Sequence, residues 1–350
     1  CYWKGEYAKA FSWFQQSLEV RKQMGDLKGE AAIYGNFGLL YNQQGNNLKA
    51  LDFQLKSLEL NLKLKDTSGI TTNYNNLAMI YQDQSNSAKA LAYYDEVLKL
   101  YDPKRNRKEI ALTYNNIGNV YSNDSLPRKA LEYLYKSLAI RTELNDQFGM
   151  AVNFINLGTN YAGLGRYDSA LYYVQKSIDL FETLGDKASC SSAYFNMGDL
   201  AFKQQQYKKA LTWCEKSLKT AGEIDKVPVQ RMACHCLYQV HKTMGNPAKA
   251  LLYHEQYKLF SDSLKKGEIE LRLSQLEFDK EILTDSLARE EEKQTLRAGY
   301  QADLNKKTQL RNAILIVSIA ILLLALLFLS RMLYFQKRSE RFQLKTQQLE

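Results

Sequence analysis

Marked only as apolar or polar, the chain repeats itself every forty residues. Alanine stands at Ala10, Ala50, Ala90, Ala130, Ala170, Ala210 and Ala250, followed by Phe11 in the first unit and by leucine in the others. Three residues beyond each alanine comes an aromatic: Trp13, Phe53, Tyr93, Tyr133, Tyr173, Trp213 and Tyr253. A second set keeps the same step, Asn36, Asn76, Asn116, Asn156 and Asn196, with a small residue two places on at Gly38, Ala78, Gly118, Gly158 and Gly198. Self-similarity at one fixed period marks an array of stacked units, each too small to bury its own apolar face.

Within a unit the apolar spacing predicts two helices. Tyr74, Leu77, Ala78 and Tyr81 fall at i, i+3, i+4 and i+7, and Phe154, Leu157, Gly158 and Tyr161 repeat that stripe. A polar break at Gly45, Ser85, Ser125, Gly165 and Gly245 predicts a turn. The second helix opens around Lys49-Ala50-Leu51 and closes near Asp66, Asp146 or Asp186, aspartates placed to cap the next first helix. A Gly or Ala in the stripe lets the neighbouring helix backbone approach, and the aromatic fills the gap beside it.

Phe37-Gly38-Leu39-Leu40-Tyr41, Ile117-Gly118-Asn119-Val120-Tyr121 and Leu157-Gly158-Thr159-Asn160-Tyr161, each followed by the alanine of a second helix, resemble the core of the tetratricopeptide repeat. The usual unit is about 34 residues; the longer step is similar to the variety in kinesin light chains and many bacterial regulatory proteins. The resemblance spans residues 1–260 and implies an all-α superhelical solenoid that binds protein, with no information on the ligand. The register also places Cys1 forty residues before Tyr41, so the sequence is expected to begin inside a repeat and not at a lipid-modified cysteine. The last unit departs from the pattern, as capping repeats do: Cys236 replaces the asparagine, Tyr238 the small residue and His241 the aromatic.

Composition adds mainly exclusions. The 24 Tyr against 4 Pro suit long packed helices. The net charge of +9 arises from basic residues spread among acids, a solvated helical surface and not a nucleic-acid footprint. Cys1, Cys190, Cys214, Cys234 and Cys236 are odd in number and irregular in spacing, and predict no disulfide framework. Cys234 and Cys236 stand about 200° apart on a helix, so they do not share a metal ion. No phosphate loop, cofactor motif or nucleophile–base pair stands out, so no catalysis, metal or cofactor is expected within these residues.

Beyond the repeats, Ser261–Leu310 is free of Pro and rich in Glu, Lys, Leu and Gln. Ile269, Leu273, Leu276, Leu283 and Leu287, with Lys280 interrupting the seam, predict a short coiled coil over residues 261–311. Ala313–Leu329 carries no charge; at about 1.5 Å per residue it extends roughly 26 Å against about 30 Å of hydrocarbon. A transmembrane helix over 312–335, with its membrane contact at 313–330, follows if Arg331 snorkels. Arg331, Lys337, Arg338, Arg341 and Lys345 after the span outnumber Lys306, Lys307 and Arg311 before it, which predicts a cytoplasmic C-terminus and extracytoplasmic repeats. Phe335, Phe342 and Leu349 stand seven apart and open a second coiled coil over 336–350; the two coiled coils would pair the chain as a homodimer.

The asparagines are the binding candidates. At about 100° per residue, Asn76 lies roughly 150° from the centre of the Tyr74–Tyr81 stripe, away from the core of its own repeat. Asn36, Asn116, Asn156 and Asn196 share that register, and Asn73, Asn119, Asn123, Asn153 and Asn160 lie beside them. The resemblance implies that first helices line a concave face, where such amides, both donors and acceptors, hold the backbone of an extended peptide or protein segment. On the other reading of these positions, each asparagine ties one repeat to the next. The order of repeats, coiled coil, span and coiled coil resembles the input region of bacterial sensor histidine kinases with an extracytoplasmic tetratricopeptide array, whose kinase domain would lie beyond Glu350. A membrane-tethered scaffold and a membrane-bound transcriptional regulator with a C-terminal DNA-binding domain share the order, and the sequence leaves the three open.

Overall fold

A computed structural model describes residues 7–347, which hold thirteen helices and no strand. Cys1 and Leu349 lie outside the described residues. Of Phe342 only the helical backbone is described. The chain divides into two units, Cys1–Leu276 and Glu277–Glu350.

In the first unit, α1 (Tyr7–Met24) is a second helix, and five pairs follow: α2 (Leu27–Gln43) with α3 (Asn47–Leu64), α4 (Thr67–Asp83) with α5 (Ser87–Leu100), α6 (Arg107–Asn123) with α7 (Pro127–Glu143), α8 (Gln147–Gly163) with α9 (Tyr167–Leu184), and α10 (Lys187–Lys203) with α11 (Tyr207–Gly222). A last first helix, α12 (Val227–Thr243), precedes α13 (Pro247–Gln347), whose residues up to Leu276 belong to this unit. No turn marks residue 260. The turns inside the pairs fall at the expected breaks, where Gly45, Ser85, Ser125, Gly165 and Gly245 all have positive φ. The aspartate caps also form: Asp66 and Asp146 accept hydrogen bonds from the amides of Gly69 and Gly149, and Asp186 from that of Ser189.

The repeated small and aromatic residues account for the packing. Ala50, Ala90, Ala130, Ala170 and Ala210 are fully buried. A Cβ on Gly158 would stand 2.7 Å from Val174 Cγ2 and 3.2 Å from the Ala170 carbonyl oxygen, so helices α8 and α9 approach closely only because that side chain is absent. At the turn end of each pair an aromatic of the first helix stacks on one of the second: Tyr41 on Phe53 at 5.4 Å, Tyr81 on Tyr93 at 5.7 Å and Tyr161 on Tyr173 at 5.5 Å. Each such stack is worth about 1 kcal/mol beyond its buried area. His241 keeps the stack in the atypical last repeat, lying parallel to Tyr253 at 5.5 Å.

First helices of successive pairs touch one another (α2 with α4, α6 with α8, α10 with α12), and second helices do not to the same extent. The first helices therefore lie on the inner side of the solenoid's curvature. One junction breaks the pattern. Helix α5 stops at Leu100, because Pro103 restricts Asp102 to non-helical backbone. The segment Pro103-Lys104-Arg105-Asn106 is folded over the Asp102 carboxylate, which accepts from the amides of Lys104 and Arg105.

In the second unit the helical stretch Glu290–Ser339 is long and apolar enough to cross a membrane, and its most apolar part is wholly unburied. Ile269, Leu273, Leu276, Leu283 and Leu287, the seam of the expected coiled coil, are all exposed in the single chain.

Two clefts between the first helices

The inner face carries the asparagine row. Asn36 and Asn123 are exposed, while Asn76, Asn116, Asn119, Asn156 and Asn196 are half-buried. Their amides are not equally available. Asn76 Nδ2 lies 3.4 Å from Gln54 Oε1 on the preceding second helix, and Asn156 Nδ2 donates to Asn115 Oδ1 on the preceding first helix at 3.0 Å. Asn116 faces the buried Tyr94 hydroxyl across the same kind of junction; burial raises the pKa of that phenol, and the Asn116 amide opposes the rise. Asn36, Asn119, Asn123 and Asn196 form no side-chain hydrogen bond among the described residues.

Three of the candidates are turned into the protein. Asn73 is buried between α3 and α4, donating to Gln54 Oε1 at 2.9 Å and accepting from Asn61 Nδ2 at 2.7 Å. Asn153 is buried between α7 and α8, donating to the Leu134 carbonyl at 3.0 Å and accepting from Ser137 Oγ at 3.0 Å. Asn160, also buried, donates to the Asn156 carbonyl one turn back. Helical angle alone puts them beside the groove, but the facing second helix covers that flank and takes the hydrogen bonds of Asn73 and Asn153, while Asn160 bonds within its own helix.

Two clefts open where first helices touch. The cleft between α2 and α4, about 340 Å³, is lined by Lys28, Ala32, Asn36, Ser68, Thr72 and Asn76, with Asn73 at its floor. The cleft between α6 and α8, about 420 Å³, lies eighty residues on in the same register, lined by Lys108, Leu112, Asn115, Arg141, Phe148 and Val152. Ala32 has become Leu112, Ser68 Phe148, Thr72 Val152 and Asn61 Arg141. The first cleft is polar and internally paired; Lys28 Nζ stands 3.0 Å from Asp66 Oδ2, a contact that with the Gly69 amide holds the carboxyl below its usual pKa. The second is more apolar, and its charged lining is Lys108 and Arg141 with Glu109 and Asp146. Leu112 and Phe148 are 53% and 52% exposed, and Arg141 is only 5% exposed. Burial pulls the Arg141 guanidinium pKa down, and Asp146 opposes the shift.

A model of the tetratricopeptide repeat matches residues 1–63, 69–143, 109–183 and 148–223. The chain belongs to the tetratricopeptide repeat family. Solved structures share the fold at low identity. BtubC (BKLC) from P. vanneervenii is similar with a TM-score of 0.56 and 17% identity, over 63% of this chain and 92% of that one. A signal transduction ATPase with numerous domains and a tetratricopeptide repeat sensor, from Pyrococcus horikoshii, reaches 0.61 at 18% identity, over 74% of this chain and 42% of that one. A Rap protein complexed with competence and sporulation factor reaches 0.53 at 16% identity, over 70% and 77%. No curated protein matches the chain.

In this tetratricopeptide array the cysteines need a correction. Cys214 on α11 and Cys236 on α12 form a disulfide, with Cα atoms 6.4 Å apart, where no disulfide framework was expected. Cys190 and Cys234 are buried and free. The pair occupies the register positions of Gln54 with Asn76 and of Tyr94 with Asn116, a second helix meeting the next first helix. Irregular spacing along the chain hid it; the signal was two cysteines at register positions that also meet at Gln54 with Asn76 and at Tyr94 with Asn116.

Proposed function

We propose that the inner face of the array holds an extended peptide or protein segment, and that the array is the input region of a single-span membrane signalling protein of the sensor histidine kinase kind. The observation that carries the binding is the set of unclaimed amides at Asn36, Asn119, Asn123 and Asn196, spread over α2, α6 and α10 on the inner face. Each offers a donor and an acceptor matched to peptide backbone. The Rap protein solved with competence and sporulation factor supports the same use of the fold. The unburied apolar stretch at 313–330 supports the span. The Cys214–Cys236 bond supports repeats held in an oxidising, extracytoplasmic compartment, in line with the basic excess after the span. The exposed row from Ile269 to Leu287 supports a homodimer through the coiled coil.

The test replaces Asn36, Asn119 and Asn196 together by Ala and measures binding of a peptide selected by the unmodified protein from a random library. Affinity should fall by about 2–3 kcal/mol, at roughly 1 kcal/mol net per hydrogen bond, with the melting temperature nearly unchanged. A collapse of the melting temperature with unaltered affinity would leave these asparagines as struts and place the ligand elsewhere.

A further inference from the structure

The α6–α8 cleft holds two cations, Lys108 and Arg141, that form no ion pair among the described residues. In the first junction Arg21 pairs with Asp26 at 2.5 Å, and in the α2–α4 cleft Lys28 pairs with Asp66 at 3.0 Å. The register mates of these cations are Arg141 and Lys108, and neither forms an ion pair among the described residues. Arg141 makes a single hydrogen bond there, to the Gly149 carbonyl, which leaves most of its guanidinium donors unused although it is nine-tenths buried. Asp146, the nearby carboxylate, caps the Gly149 amide through Oδ1 at 3.0 Å and acts on Arg141 electrostatically, but the two form no ion pair among the described residues. The irregular segment after α5 adds Lys104 and Arg105, also without ion pairs among the described residues, around an adjoining cleft that shares Lys108 and Asp146. The two clefts together present Lys104, Arg105, Lys108 and Arg141 against Glu109 and Asp146, while Arg107 is paired with Glu143. Beside this charge stand the apolar side chains of Leu112, Phe148 and Val152.

We propose that the α6–α8 cleft anchors an acidic peptide segment in which a carboxylate stands next to a bulky apolar side chain. The carboxylate meets Arg141 and Lys108, the apolar side chain lies against Leu112, Phe148 and Val152, and neighbouring acids of the peptide face Lys104 and Arg105. A buried guanidinium favours a carboxylate, which accepts two parallel hydrogen bonds from it. The apolar wall disfavours a nucleic-acid strand, whose phosphates have no apolar neighbour to place there. This inference rests on the reading of the inner face as a peptide groove and names the chemistry of its ligand.

The experiment uses the full chain in detergent and a dye-labelled peptide with blocked ends, a leucine flanked on both sides by glutamates. Its control carries glutamines in place of the glutamates. The glutamate peptide should bind at least about tenfold more tightly than the control, as expected for a charge-assisted contact. Lys108→Gln and Leu112→Ala, both at exposed positions, should each weaken it severalfold, Arg141→Gln more, and Lys28→Gln in the polar cleft not at all. Circular dichroism separates lost binding from lost fold in the Arg141 variant, and the two exposed variants carry the test if it unfolds. Equal affinity for the two peptides, no binding of either, equal effects of Lys28→Gln and Lys108→Gln, or displacement by a single-stranded oligonucleotide as readily as by unlabelled peptide would each overturn the anchor. The groove reading stands or falls separately, on whether the library-selected peptide is lost in the asparagine variant.

Discussion

The α2–α4 and α6–α8 clefts share a backbone and a register and differ in how they dispose of their polar groups. In the first, Gln54, Asn61 and Asn73 close a network behind the cleft, and Lys28 and Asp66 pair across its mouth. In the second, Leu112, Phe148 and Val152 take positions where Ala32, Ser68 and Thr72 stand, and Arg141 replaces Asn61 with no ion pair among the described residues. A repeat array can thus keep the steric rules that stack its helices, small against aromatic, while exchanging side chains that line the clefts between them. Where the polar groups satisfy each other the cleft is structural; where they do not, it has capacity for something else.

The largest test of this contrast is stability. Asn73→Ala should cost about 2 kcal/mol in urea unfolding, because it leaves the Asn61 amide without its acceptor, at about 1–3 kcal/mol, and Gln54 Oε1 with only the long contact to Asn76. Asn153→Ala should cost about 1 kcal/mol, since Ser137 keeps its hydrogen bond to the Ala111 carbonyl and Leu134 loses only a side-chain donor. Equal losses would show that the two junctions are held alike, and the distinction between a closed and an open cleft would fail.

A transplant sharpens the comparison from the other side. Ala32→Leu, Ser68→Phe and Thr72→Val rebuild the apolar wall in the first cleft, and Asp66→Asn frees Lys28 while keeping a residue able to cap α4. Calorimetry with the glutamate–leucine peptide should then show a second, weaker site in addition to the first, weaker because Asn61 stays in place of an arginine. Unchanged stoichiometry would mean that the lining side chains do not decide where the ligand is held.

The stacking rules were legible because each repeat states them again. Ala, Gly and aromatic positions recur at a fixed step, and the aspartates before α4, α8 and α10 announced caps that the structure forms. The inner face was legible only in outline. Asn73 and Asn76 are three residues apart, roughly 60° on the helix, and which of the two is buried depends on whether α3 reaches over that flank. The same limit applies to Cys214 and Cys236, whose contact is set by the approach of α11 to α12. Pro103 is visible in the sequence as a breaker, yet the unpaired state of Arg141 and Lys108 follows only from where Asp146 points.

The smallest effect concerns acid. Asp66 has its pKa lowered below 3.8, first by the hydrogen bond from Lys28 and then by the Gly69 amide. The unfolded chain therefore takes up the proton at a higher pH than the folded one, and the contribution of this carboxylate is fully present above pH 3.8 and is lost as the pH falls through the folded pKa. Lys28 is largely exposed, so its share is well under about 1 kcal/mol. Lys28→Gln should consequently lower the urea midpoint slightly at about pH 5 and leave it unaltered once Asp66 is protonated in both states. Lys108→Gln, whose cation has no partner to lose among the described residues, should leave the midpoint unchanged at both pH values. A loss of stability in the Lys108 variant that vanishes in acid would reveal a carboxylate partner in the second cleft, and the difference between the two clefts would then be one of shape alone.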